Sequence, residues 1–367
     1  MKQFNILRGL AIALMLICCN AVWAYDFQLN GIYYYIYSTA DLTVGVTYGE
    51  NKYSGDIVIP STITYRSKTF TVTGICPQAF NISNDYLTSV EIPNSVTKIG
   101  QLAFCDCKDL TNVEIPNSVT SIALGAFSGC TNLRSVKIPN SVTSIENAVF
   151  YKCTNLRSVK IPNSVTMIGD NAFKGCTNLT NVEIPNSVTS IGKGAFSGCK
   201  GLIDVKIPNS VTSIEAETFR ECTNLTSVEI PNSVTSIGAS AFIGCMAITS
   251  ITIPKSVQQI KDGAFKDCKA LKSIYVMAET PPSAYSVFKN ELYMDAVLYV
   301  PNGCLEAYQN AEVWKEFWEI KEFDVTGIGD VKADNENATT VYDLNGRVVE
   351  NPTKGIYIIN GKKVLLK

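Results

Sequence analysis

Thiols are the most regularly placed reactive groups in this sequence. A cysteine stands at every 23rd residue from Cys107 to Cys268, while Cys76, Cys105 and Cys304 lie outside that column. Cys105-x-Cys107 is a weak metal signal. If successive copies lie one strand spacing apart, about 4.8 Å, their Cα atoms satisfy the range for a disulfide, but their Cβ atoms point the same way. The column therefore predicts a buried stack of inert thiols, and it makes no prediction for the other three cysteines.

Four basic side chains form the second candidate site. Arg134 and Lys137 recur one repeat later as Arg157 and Lys160, at outward positions of a strand pattern. Like charges on adjacent strands are mildly destabilising, so a retained cluster would suit an acidic ligand. The alternative is duplication, which is favoured because the segment CTNLRSVKIPNSVT occurs twice without change. These four residues are the candidate ligand-binding site.

Composition narrows the chemistry further. The 367 residues are 46% hydrophobic, which allows a substantial core, and they include no histidine. The absence of histidine excludes Ser-His-Asp and Cys-His catalysis. A formal net charge of −2 argues against nonspecific electrostatic binding of nucleic acid. No Gly-rich phosphate loop, catalytic carboxylate pair or nucleophile elbow stands out. We therefore expect no catalytic, cofactor or metal site, and a protein that is not an enzyme.

The first 24 residues have the layout of a secretory signal peptide. Lys2 and Arg8 flank the start of the apolar run GLAIALMLICC, and AVWA supplies a cleavage site. The run is too short for a comfortable membrane span. Lipid modification of Cys18 or Cys19 is the alternative, although the residues before them fit a lipobox poorly. We expect cleavage after Ala24 and no transmembrane segment in the mature chain.

The candidate residues are positioned by a 23-residue repeat. IPNSV begins at seven places from Ile92 to Ile230, and IPKSV begins at Ile253. In each copy LxxVxI alternates apolar and polar residues, as a short strand with one buried face does. Pro then ends the strand pairing, and Asn-Ser makes a turn in which Asn tolerates unusual backbone angles. VTSIG is a second apolar stretch, and AFSGC is expected to form a helical turn. One unit cannot bury its own apolar face, so the copies must stack into a solenoid.

Other columns of the repeat have structural explanations. Phenylalanine recurs without a break from Phe104 to Phe265, which predicts that each ring packs on its copy in the next repeat. Trp314 and Trp318 lie four apart on a predicted helix and are expected to plug the end of the solenoid, with a ligand-binding aromatic pair as the alternative. An asparagine recurs at four equivalent positions: Asn132, Asn155, Asn178 and Asn224. We expect these side chains to form a ladder that caps turn carbonyls and amides, rather than to bind a ligand.

The repeat resembles a known family. LTSVEIPNSVTSIGASAFIGC is similar to the BspA-type leucine-rich repeat of bacterial surface proteins, and the resemblance extends from about Asp56 to Glu322. It implies an α/β repeat fold: a leucine-rich-repeat solenoid with 23-residue repeats, a β-rich N-terminal cap and a C-terminal β tail. It also implies adhesion to protein ligands on host matrix or other cells. A structural surface scaffold is one alternative, and a degradative glycan- or peptide-active enzyme is another.

The end of the chain carries a second resemblance. Gly346-Arg347, the segment KGIYII from Lys354 to Ile359 and the basic, apolar terminus are similar to the C-terminal sorting domain of the type IX secretion system. That resemblance implies the secretion machinery as a partner, and a location that is secreted or at the outer surface of a Gram-negative bacterium. A plain hairpin appended to the cap is the alternative.

These observations predict the organisation of the chain. A hairpin-like insertion between Ile63 and Val72 widens the first repeat. The predicted segments are a signal peptide at 1–24, an N-terminal β cap with the widened first repeat at 25–74, the leucine-rich repeat solenoid at 75–276, degenerate repeats with a C-terminal cap at 277–326, a linker at 327–340, and a sorting-tail-like β segment at 341–367.

Overall fold

A computed structural model describes residues 25–81, 86–324, 341–342, 355–359 and 362–366. The predicted signal peptide, the predicted linker and Gly346-Arg347 lie outside these residues. In chain order the strands are β1 (Phe27–Leu29), β2 (Ile32–Ser38), β3 (Thr43–Thr47), β4 (Gly55–Val58), β5 (Thr62–Tyr65), β6 (Lys68–Ile75), β7 (Leu87–Glu91), β8 (Lys98–Ile99), β9 (Asn112–Glu114), β10 (Ser121–Ile122), β11 (Ser135–Lys137), β12 (Ser144–Ile145), β13 (Ser158–Lys160), β14 (Met167–Ile168), β15 (Asn181–Glu183), β16 (Ser190–Ile191), β17 (Asp204–Lys206), β18 (Ser213–Ile214), β19 (Ser227–Glu229), β20 (Ser236–Ile237), β21 (Ser250–Ile253), β22 (Gln259–Ile260), β23 (Ser273–Val276), β24 (Ser283–Ala284), β25 (Val297–Pro301), β26 (Glu319–Phe323), β27 (Val341–Tyr342), β28 (Gly355–Ile359) and β29 (Lys362–Leu366). The helices are α1 (Asn290–Asp295), α2 (Leu305–Asn310) and a 3₁₀ turn (Trp314–Glu316).

The repeats form a β-solenoid, and each 23-residue turn of it is one rung. The LxxVxI segments make a first column of parallel strands that includes β4, β7, β9, β11, β13 and β15, with Val136 directly opposite Val159. The VTSIG segments make a second column, which includes β6, β8 and β10. Because equivalent residues are in register, each apolar side chain packs against its own copy in the next rung.

The turn between the two columns is tight and of ordinary conformation. In a representative rung the Val165 N–H donates to the Pro162 carbonyl at 3.0 Å. The expectation that asparagine takes unusual backbone angles here is wrong, because φ is negative at Asn163 and at its equivalents in the described rungs. A turn of this kind accepts most residue types at its central positions, and Lys255 occupies the same place in a later rung.

An N-terminal β-structure covers the first rung. Strands β1, β2 and β3 form an antiparallel meander, and β3 then pairs in parallel with β6. Strands β5 and β6 form an antiparallel hairpin with Tyr65 opposite Lys68, which confirms the insertion predicted between Ile63 and Val72. The meander covers the apolar edge that the first rung would otherwise expose, as a terminal cap must.

A stack of phenylalanine rings runs through the core. Ten rings lie nearly parallel, with centroids 4.8 Å apart at one end of the stack and 5.9 Å apart at the other. The predicted column is confirmed and extends one ring further in each direction, to Phe80 and Phe288. At the C-terminal end Phe288 meets Trp314 and Phe317 edge-on, at 70° and 80°. Rings in this orientation end the stack, because an edge-on ring offers no parallel face to a following one.

The prediction of a helical turn at AFSGC is wrong. In each rung from Leu102 to Asp267 two positions adopt left-handed backbone, for example Ala148 and Lys152 in one rung and Gly125 and Gly129 in the rung before it. Such residues cannot continue a right-handed helix. Backbone N–H groups instead donate to the next rung, as Lys152 does to the Lys174 carbonyl at 2.7 Å. Within the described rungs this side consists of turns, so the predicted α/β description overstates the helix content, which is confined to the C-terminal cap.

The C-terminal cap separates the two tryptophans. Trp314 is fully buried in the 3₁₀ turn, and its indole N–H donates to the Pro282 carbonyl at 2.8 Å. The backbone becomes extended at Phe317, so Trp318 is on no helix and is 82% exposed. The interpretation that both side chains plug the solenoid from one helical face is therefore wrong for Trp318.

The described part of the tail is a three-stranded antiparallel sheet. Strand β28 lies between β27 and β29, and Ile359 of β28 is directly opposite Lys362 of β29. Of the described helices, none is long and apolar enough to cross a membrane.

Candidate binding face

The outward side chains of the first strand column form one surface, here called the strand face. On β11, β13 and β15 the central valine is buried, whereas the residues on either side of it are exposed. Parallel pairing in register places equivalent outward residues about 4.8 Å apart along the solenoid. From the N-terminal end, the position that follows each buried valine or its equivalent is occupied by Glu91, Glu114, Lys137, Lys160, Glu183, Lys206, Glu229, Thr252, Tyr275, Tyr299 and Lys321.

The structure brings the four predicted basic residues together on this face. Lys137 of β11 is directly opposite Lys160 of β13. The Arg157 N–H donates to the Arg134 carbonyl at 3.0 Å, so the two arginines also occupy neighbouring rungs. All four side chains are exposed, and none forms an ion pair with another described residue. Their charges are therefore available to a ligand.

A groove adjoins this cluster. The backbone ladder is interrupted between β15 and β17, and a depression of 670 Å³ lies over the interruption. Glu183 lines it on one rung, and Asp204 and Lys206 line it on the next. Further along, Lys206 forms an exposed ion pair with Glu229 at 3.3 Å. The strand face thus changes from a basic surface to a polar groove within two rungs.

An aromatic cluster ends the strand face. Tyr275 and Tyr299 stack with ring centroids 4.5 Å apart, and Phe323 meets Tyr275 edge-on at 5.5 Å. Tyr299 and Phe323 were not identified from the sequence as part of this face. The alternation of apolar and polar residues in AVLYVP and EIKEF could have revealed both, had the last two strands been aligned with the repeats.

The cysteine column is buried, as predicted. The eight thiols lie inside the solenoid, and each donates to a phenylalanine carbonyl, as Cys153 does to that of Phe127 at 3.1 Å. Burial raises the pKa of Cys268 to about 12. Outside the column, burial raises the pKa of Cys76 to about 11, and its sulfur lies 3.2 Å from the Tyr37 hydroxyl. Neutral thiols are poor nucleophiles and poor metal ligands. Across the described residues, no group of three or more metal-ligating side chains occurs.

The asparagine column forms a ladder, but with other partners than expected. The Asn155 amide donates to the side-chain oxygen of Asn132 at 3.1 Å, and that of Asn178 donates to Asn155 at 3.0 Å. The amides therefore bond to one another and do not cap backbone groups. Asn224 has no such partner, because Gly201 and Ala247 occupy the equivalent positions of its neighbouring rungs.

Taken with the strand register, these features define a leucine-rich-repeat solenoid of the 23-residue class. Residues 73–203 and 191–302 match the family model described as the BspA type leucine rich repeat region. The chain belongs to the BspA-type leucine-rich repeat family. Membership suggests a role in protein interaction, and proteins of this kind are typically non-enzymatic scaffolds.

Several solved structures are similar to this chain. A leucine rich cell surface protein from Faecalibacterium prausnitzii is 27% identical, covering 81% of this chain and 94% of its own, with a TM-score of 0.46. A leucine-rich repeat protein from Bacteroides ovatus is 23% identical over 82% of this chain and all of its own, with a TM-score of 0.40. The pneumococcal vaccine antigen PcpA is 18% identical over 82% of this chain and 98% of its own, with a TM-score of 0.44. Among curated proteins no similar sequence was found.

Proposed function

We propose that this protein is a non-enzymatic, secreted or surface-displayed binding protein that attaches to protein ligands on host matrix or other cells through its strand face. The observation that carries the proposal is the contrast between constant and variable positions. The inward positions repeat the same residue type from rung to rung, whereas the outward positions change from acidic to basic to aromatic. A uniform frame with a varied outer surface suits recognition, as in other solenoid proteins.

The basic cluster is the proposed anchor for ligands. Arg134, Lys137, Arg157 and Lys160 lie on two strands about 4.8 Å apart, within one Debye length of about 8 Å at physiological salt. Their potentials therefore add at the surface, and an acidic protein segment would be attracted to the sum. Such complementarity contributes chiefly to specificity and to the rate of association.

Delivery to the surface is the second part of the proposal. The layout of residues 1–24 supports export by a secretory signal. The antiparallel strands β28 and β29 within the sorting-like tail are compatible with a type IX sorting segment. On this proposal the protein acts at the outer surface of a Gram-negative bacterium, or after release from it.

Binding can be tested with one variant and one matched control. Replacing the four cations of the cluster with serine should weaken capture of acidic ligands from matrix and cell extracts, and it should reduce the salt dependence of binding. The control replaces four exposed lysines away from the strand face, Lys98, Lys152, Lys261 and Lys266, and removes the same charge. Equal affinities and equal salt dependence for the two variants would refute the anchor. Failure of the wild-type chain to bind any protein ligand would refute the function.

A further inference from the structure

Charge on the strand face is sorted into two adjacent blocks. The acidic block is Glu91 and Glu114, which are directly opposite each other on β7 and β9. The basic block is the four-residue cluster on β11 and β13, described above. Like charges directly opposite each other are destabilising, and this segment has two such pairs in succession. The same column can pair opposite charges across rungs, as Lys206 and Glu229 do. These two like-charge pairs are therefore unfavourable in an isolated molecule, although Lys160 is also directly opposite Glu183 of β15.

We propose that the strand face of one molecule binds the same face of a second copy, with each basic block over the acidic block of the other. The proposal rests on the proposed function, because it assigns a partner to the same binding face. A twofold axis parallel to the strands and between β9 and β11 would relate the copies. Such an axis reverses the order of the rungs and preserves the position along each strand. It therefore makes the surface complementary to itself, as an isologous interface requires.

This axis makes specific pairs. Lys137 faces Glu114 of the second copy, and Lys160 faces Glu91 of the second copy; symmetry generates the same two contacts again. Arg134 and Arg157 lie three residues before these lysines, so they face the positions of Thr111 and Thr88, which are small, polar and uncharged. Neither guanidinium group therefore has a like charge directly opposite it, although the two copies of Arg134 lie one rung apart across the axis. The like-charge pairs that are unfavourable within one molecule become neutralised between two.

The size of the surface sets the strength of association. Four rungs span about 19 Å at the strand spacing of about 4.8 Å. A contact of this length is smaller than a standard stable interface, which buries about 800 Å² on each partner. The pairing should accordingly be weak and sensitive to salt. Many copies on one surface would still associate effectively, because linked weak contacts reinforce one another.

Charge reversal gives a direct test by sedimentation velocity. The all-acidic variant carries Arg134→Glu, Lys137→Glu, Arg157→Glu and Lys160→Glu, and the all-basic variant carries Glu91→Lys and Glu114→Lys. In 20 mM salt the wild-type chain should self-associate, and 500 mM salt should weaken this roughly tenfold or more, since exposed charges are screened. Each variant alone should remain monomeric. A mixture of the two in equal amounts should form a heterodimer, because every block then meets its opposite.

The outcomes separate this inference from the proposed function. A wild-type chain that stays monomeric in 20 mM salt overturns the inference, and so does an all-acidic variant that still self-associates. A mixture that fails to associate also overturns it, provided that circular dichroism shows both variants folded. Poly-glutamate serves as an independent acidic probe. If the monomeric wild type binds poly-glutamate in a salt-dependent way, the basic anchor stands and only the second copy is excluded as its partner.

Discussion

The phenylalanine stack predicts a particular pattern of energetic coupling. Phe173 is fully buried between Phe150 and Phe196, with ring centroids 5.4 Å from each and interplanar angles of 14° and 5°. A parallel aromatic pair contributes about 0.5–1.5 kcal/mol beyond its buried area. Phe173→Leu removes two such pairs and should lower the free energy of unfolding by roughly 1–3 kcal/mol from the ring contacts alone. The smaller side chain adds a cavity cost on top.

A double-mutant cycle isolates the ring–ring contribution. Each of Phe173→Leu and Phe196→Leu alone removes the contact between these two rings, whereas the double mutant loses it only once. The double mutant should therefore be less destabilised than the sum of the two single mutants by about 0.5–1.5 kcal/mol. Phe173→Leu combined with Phe242→Leu shares no neighbouring ring and should be additive within about 0.5 kcal/mol. Urea unfolding followed by circular dichroism and by the fluorescence of buried Trp314 measures both. Equal coupling in the adjacent and the distant pair would refute the reasoning.

Three further predictions follow from the rungs and the tail. Few thiols should react with a thiol reagent in the native protein, and eight or more should react after unfolding. Burial raises the pKa of Cys268 to about 12 from an ordinary 9.0, so the stability that the neutral thiols contribute should be present below pH 9 and lost between pH 9 and 12. Urea unfolding midpoints measured across that pH range test this loss. Both Ala148 and Gly194 have left-handed backbone, which glycine adopts more easily than alanine. Ala148→Gly should therefore raise the free energy of unfolding by roughly 0.5–1 kcal/mol, and Gly194→Ala should lower it by about 1–2 kcal/mol. Urea unfolding in which both substitutions change the free energy in the same direction would contradict this. Deleting Val341 to Lys367 should leave a cooperatively unfolding solenoid that accumulates in the periplasm; normal surface delivery on cell fractionation would show that the tail is not a sorting signal.

The repeat allowed the core to be predicted almost residue by residue. The alternation in LxxVxI identifies the buried valine, and a column of identical phenylalanines has no other place than the interior. Phe288 was missed although it keeps the 23-residue spacing from Phe265, because the residues around it have diverged. AFSGC was misassigned since small residues and an aromatic fit a helical turn as well as they fit the left-handed turns that Ala148 and Lys152 reveal.

Features that depend on several rungs at once were harder to predict. The partners of Asn155 could not be known until the spacing and side-chain directions of neighbouring rungs were defined. Trp318 is exposed because the backbone straightens at Phe317, and no local pattern in EVWKEFWEI indicates that change. The positions of the four cations on the strand face followed directly from the register of the strands. The groove beside them lies over an interruption of pairing that the near-identical repeats do not indicate.

The edge-on rings at the end of the stack have a consequence for how this gene could change. The C-terminal cap contacts the last rungs, where Trp314 meets Phe288 and donates to the Pro282 carbonyl, and the N-terminal cap contacts the first rungs. The near-identical copies between them, including the segment present twice without change, provide sites for unequal recombination. Gain or loss of one copy would move the caps apart or together by about 4.8 Å without altering what either cap contacts. Variation in copy number could thus lengthen the molecule and rearrange the order of its surface charges. Because the contacts of both caps would stay the same, such a change would have little effect on folding.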